Sequence, residues 1–122
     1  VEHFYRAIER PYVTAEEFEA QSIPEREVFT RHTLQLHVTD IAQAIDEHTF
    51  DARSNRYLVR VPLLVDEEGF DELAALHAEM YERTMDIQAR STERRAGSDV
   101  EGISTVSTSM FFETPEPSRN RK

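Results

Sequence analysis

From Asp66 to about Arg95 the chain carries one unbroken helical pattern, and its length is the strongest constraint on what can form around it. Phe70, Leu73, Leu76, Met80, Thr84 and Ile87 recur at three- and four-residue spacings, the period that lines side chains along one helix face. Asp66 stands where an N-cap is needed, with Glu67 and Glu68 at the positive end of the helix dipole. Arg90, Arg94 and Arg95 sit toward the negative end, and Gly97 is a natural stop. A helix of ~28 residues is ~42 Å long. That is more than a domain of this size needs to close its own core, so a second copy of the chain is expected to cover part of the stripe.

A second helix is expected from Pro24 to about His48, a stretch with no internal Gly or Pro. Leu34, Val38, Ile41 and Ile45 form its apolar stripe, with Ala42 alongside, and Val28 and Leu36 widen it. Upstream, Thr14 and Glu17 have capping-box spacing and are followed by Phe18, which marks a short helical turn. Residues 49–56 read as a turn, punctuated by Asp51, Ser54 and Asn55.

Three segments alternate as strands do. Val1 to Ile8 is the first, ended by Pro11, which has no amide hydrogen to donate. In the second, Tyr57, Val59, Val61, Leu63 and Val65 point one way and Leu58, Arg60, Pro62 and Leu64 the other. Pro62 argues for an edge or a bulge there. Ile103 to Glu113 is the third, expected to pair antiparallel with 57–65, although the intervening helix also allows a parallel right-handed crossover. The fold class expected is therefore α+β: two long helices packed on a small, mainly antiparallel sheet. The organisation expected is an opening strand over 1–8, one domain over 9–113, and a Pro-rich, disordered tail over 114–122.

Composition narrows the function classes. The net charge of −10 disfavours direct binding to nucleic acid or to an anionic membrane, since both draw on Lys and Arg. The absence of cysteine excludes disulfides, thiolate metal sites and a cysteine nucleophile, and suits the cytoplasm. No apolar run approaches the ~20 residues a membrane span needs. The chain opens at Val1 without an initiator methionine, which raises the expectation of an upstream domain.

No motif argues for an enzyme. His32 and His37 are five apart and point to different sides of their helix; the His37/Asp40 and His48/Asp51 pairs have i, i+3 spacing and could join a site shared between subunits, but surface or hydrogen-bonded histidine is the favoured reading. The acidic groups at Glu16–Glu17, Asp46–Glu47 and Asp66–Glu68 sit at helix starts or polar faces. With only Gly69, Gly97 and Gly102 there is no phosphate-cradling loop, and no GxSxG elbow occurs. No catalytic residue, metal or cofactor is therefore assigned. Arg60 interrupts an apolar segment: if covered it requires an anionic partner, and the favoured alternative is a solvent-facing position. Aromatic residues, with Phe29 among them, serve mainly as core; a ligand pocket, if there is one, draws on Phe50, Tyr57, Arg60, Phe70 and Tyr81.

Two stretches add a resemblance. His48 to Leu73 reads HTFDARSNRYLVRVPLLVDEEGFDEL, followed by RTMDIQ at Arg83–Gln88, Glu101-Gly102-Ile103, and Phe112-Glu113. This order resembles the C-terminal region of actinobacterial winged-helix regulators classed with the ArsR-like family, with His48 standing where glycine is usual. Val1 to Ala7, VEHFYRA, is similar to the last strand of such a regulator's wing. The resemblance implies a homodimer that reaches DNA through an upstream winged helix, and a small-molecule effector is a further expectation. The dimer surface expected is formed by Leu34, Val38, Ile41 and Ile45 on the first long helix and Leu73, Leu76, Met80 and Ile87 on the second. The alternative is a stand-alone small-molecule binding module unrelated to transcription.

Overall fold

The computed structural model of the chain describes residues 13–115. The expected strand at Val1–Ile8 and the tail beyond Pro115 lie outside the described residues. Three helices follow in order: α1 (Ala15–Ala20), α2 (Ile23–Asp46) and α3 (Glu67–Ala96). The chain divides into two compact units, Val1–Leu58 and Val59–Lys122.

In the first unit local hydrogen bonds set every helix boundary. Thr14 Oγ1 accepts from the Glu17 N–H and Glu17 Oε1 accepts from the Thr14 N–H, both at 3.1 Å. Ser22 and Glu25 repeat this reciprocal box at the start of α2, where Ser22 N–H donates to Glu25 Oε1 at 2.9 Å. Two orphan donors are satisfied at each helix start in this way. Arg26 then joins the two helices. Its Nε donates to the Phe18 carbonyl at 2.9 Å, and its guanidinium lies 3.9 Å from the Phe18 ring centre.

The end of α2 has complete Schellman geometry. His48 N–H donates to Ile45 O, Thr49 N–H donates to Ala44 O, and His48 has φ 62°. A side chain in this left-handed conformation costs roughly 1–2 kcal/mol that glycine avoids. The turn that follows is clasped by a 2.7 Å ion pair between Arg56 Nε and Asp51 Oδ1, with the Arg56 guanidinium 5.8 Å from the Phe50 ring centre.

The second unit is built on α3. Asp66 Oδ1 accepts from the Gly69 N–H at 2.8 Å, with Glu67 and Glu68 in the first turn and Arg94 and Arg95 in the last. A β-carbon at Gly69 would lie 3.0 Å from Asp66 Oδ1 and 3.2 Å from Val65 Cβ, so glycine lets the cap and the incoming chain close on this turn. Gly97 ends the helix at φ −94°, without a left-handed residue.

The expected α+β architecture is not what forms. Of the described residues 58% are helical, and no strand or sheet occurs among them. Residues 57–65 and 103–113 have no helix or strand assignment, and no backbone–backbone hydrogen bond among the described residues engages them. The physical reason lies in what alternation specifies. A period of two gives a segment two faces, but a ladder also needs a second backbone at the right spacing. Each segment finds side chains of α3 instead. Leu63 and Val65 border Gly69, Leu73 and Leu76. The C-terminal segment turns back along the helix: Gly102 lies beside Arg95, Ser109 beside His77, and Phe111 beside Phe70.

His48→Gly is expected to raise the stability of the chain by about 1 kcal/mol, because it removes the left-handed penalty while leaving the capping bonds in place. Chemical denaturation followed by circular dichroism measures this; an unchanged or lowered midpoint would show that the imidazole compensates for its backbone.

Candidate self-association surface

Among the described residues only Gln21 is buried, and no side chain is fully enclosed. The apolar stripes of the two long helices are therefore largely surface. On α2, Leu34, Val38, Ile41 and Ile45 are 38–59% exposed. Apart from Glu25, whose carboxylate serves the N-cap, the better-covered positions of that helix are Arg26, Phe29, Thr33, His37 and Ala44. At about 100° per residue these lie roughly a quarter-turn from the apolar stripe. On α3, Leu73 is half-buried, whereas Leu76, Met80 and Ile87 are 45–54% exposed.

The returning segment accounts for the covered face of α3. His77 Nδ1 and Ser109 Oγ share a hydrogen bond of 2.8 Å. The Phe111 ring stacks on His77 with centres 5.2 Å apart and planes 13° apart, and meets Phe70 at 4.6 Å. Phe70 and His77 are seven residues apart, two helical turns, so one ring spans both. Sequence reasoning placed Phe70 and Phe111 on opposite elements but did not join them through His77. The signal available was an aromatic and a histidine at i and i+7 on α3, with a polar–apolar alternation downstream.

Next to this strap, Leu63, Val65, Gly69, Glu72, Leu73 and Leu76 border an open groove of about 500 Å³. Its lining is aliphatic apart from Glu72. Of the expected ligand-pocket residues, Phe50 is half-buried and lies near Arg56, and Tyr57 is 86% exposed. In the second unit Arg60 is exposed, Phe70 is held by Phe111, and Tyr81 is 37% exposed. None of these lines the groove. No group of three or more His, Cys, Asp or Glu side chains among the described residues could hold a metal ion. No described helix is long and apolar enough to cross a membrane.

Charge is divided unevenly along α3. From Glu67 to Glu82 it carries Glu67, Glu68, Asp71, Glu72, Glu79 and Glu82 and neither Lys nor Arg. From Arg83 onward it carries Arg83, Arg90, Arg94 and Arg95 against Asp86 and Glu93. Glu72, Glu79, Arg83 and Arg90 are exposed and fall on the edge of the apolar stripe opposite the strap. No ion pair among the described residues engages any of the four.

Comparison with protein-family models, with curated proteins and with solved structures finds no match to this chain.

Phe111→Ala is expected to release the strap while leaving α3 formed. Limited proteolysis should cut within residues 99–113 several-fold faster, since the aromatic contacts are worth about 0.5–1.5 kcal/mol beyond area burial. Helical ellipticity should be unchanged; equal cleavage rates in the two proteins would show that the strap is held elsewhere.

Proposed function

We propose that this chain is the C-terminal dimerisation region of a bacterial winged-helix regulator of the ArsR-like kind, acting in the cytoplasm, not as an enzyme. DNA is read by an upstream winged-helix domain, and this region sets the spacing of two reading heads on a two-fold operator. The observation that carries the self-association is the exposure of both helical stripes on a chain with no enclosed side chain among its described residues. Exposed, contiguous apolar surface rimmed by charge is a mark of an interface. The regulatory part rests on the FDAR…PL…DEEG run and the opening VEHFYRA. The net charge of −10 fits a region that contributes no phosphate contacts of its own. An effector that prefers one spacing of the heads would alter DNA affinity through linkage.

A stand-alone small-molecule binding module is the second reading, and the groove beside Leu63 and Leu73 is the observation in its favour. Its openness and lack of convergent polar groups count against it, because ligand sites enclose most of their ligand and orient it with a few placed donors and acceptors.

Light scattering of the 122-residue chain across a concentration series is expected to give twice the chain mass. Leu76→Asp and Ile87→Asp should each move the species toward monomer, with far-ultraviolet dichroism retained. A strict monomer at all concentrations would remove the dimerisation reading, and thermal-shift screening against small molecules would then test the second.

A further inference from the structure

We propose that two copies of the chain pack through α3 in antiparallel fashion, with Glu72 and Glu79 of one copy facing Arg90 and Arg83 of the other. This rests on the self-association proposed above and specifies its geometry.

Around α3 three strips run side by side. The strap takes the strip of Phe70, His77 and Arg95. The apolar strip of Leu76, Met80 and Ile87 comes next and is about half exposed. The third strip carries Glu72, Glu79, Arg83 and Arg90, all exposed. A partner packing on the middle strip therefore meets the charged strip along one side.

The order of charges selects the partner and its direction. Positions 72 and 90, and positions 79 and 83, are placed equally about residue 81, close to the midpoint of Glu67–Ala96. A two-fold axis through that midpoint reverses one helix on the other and sets this edge against itself. Each acid then meets an arginine, giving four opposite-charge contacts per dimer. Leu76 of one copy comes opposite Ile87 of the other, and Met80 lies near the axis. The arginine stems at the far end of one helix reach the groove at the near end of the other, where aliphatic chain can lie on Leu73 while the guanidinium meets Glu72. Parallel packing would set the charged edge against the strap and leave all four charges without a counterpart. A two-fold contact uses the same patch on both copies, so a self-complementary edge on one helix is the feature such an interface needs.

Charge exchange tests the arrangement. The variant Glu72→Arg with Glu79→Arg has an all-positive edge, and Arg83→Glu with Arg90→Glu an all-negative one. Each alone is expected to self-associate ~10-fold or more weakly than the native chain, since four attractive contacts become repulsive. Mixed in equal amounts they should form a heterodimer at least as tight as the native dimer, which also shows that both variants fold. Native dimerisation with both variants still dimeric would overturn the antiparallel contact while leaving the dimer itself standing. A native monomer would overturn both. The chain has no cysteine, so direction can be read separately. Oxidising a mixture of Leu76→Cys and Ile87→Cys chains should trap the 76–87 heterodimer. Predominant 76–76 and 87–87 products would show parallel packing and sink the proposal.

Discussion

A helix closes its own backbone, and that property separates the formed parts of this protein from the unformed ones. Each amide along the body of α3 has its acceptor four residues back, so the 30 residues need no other segment to satisfy them. An extended segment has no such reserve, and its donors and acceptors wait for another backbone or for water. Residues 57–65 and 103–113 receive no backbone partner among the described residues. Within residues 59–65 and 103–113, a few side chains meet α3 instead. Leu63 and Val65 sit near its start, and the hydroxyl of Ser109 and ring of Phe111 sit on its second and third turns.

The helices were legible in the sequence because their signals are local. Thr14 with Glu17 marks the start of α1, and Asp66 with its following acids and the Gly- and Pro-free runs place α2 and α3 within two residues of their ends. The start of α2 was less plain. Pro24 attracted the reading, whereas the residue that caps the helix is Ser22, paired with Glu25. The sheet failed as an expectation for a different reason. Nothing in the alternation of Tyr57–Val65 names a partner strand, and Pro62 already removed one donor from it. The left-handed residue that ends α2 gave no such signal, because it is His48 and not glycine.

The candidate surface was half legible. Periodicity identified Leu76, Met80 and Ile87 as one stripe, and the acidic-to-basic gradient of α3 can be read directly from its residues. Which edge of that stripe stays free is a tertiary fact. It depends on the strap occupying the Phe70–His77 face, a contact between residues more than thirty apart in the chain. No periodicity rule reports such a contact. The covered face of α2 shows the same limit, since Thr33 and His37 are better covered than the aliphatic residues a quarter-turn away.

The strap also bears on the order in which this half of the chain acquires structure. Phe70 and Phe111 are far apart in sequence, but most of the interval is α3 itself, which can form within about a microsecond as a local event. Once it has, only the short stretch after Gly97 remains to be closed, and the entropy of closing a loop grows slowly with its length. Phe111 thus docks late, on a surface already built. Its loss should speed the detachment of the segment and leave helix nucleation alone, because contacts made after the folding barrier govern the rate of unfolding.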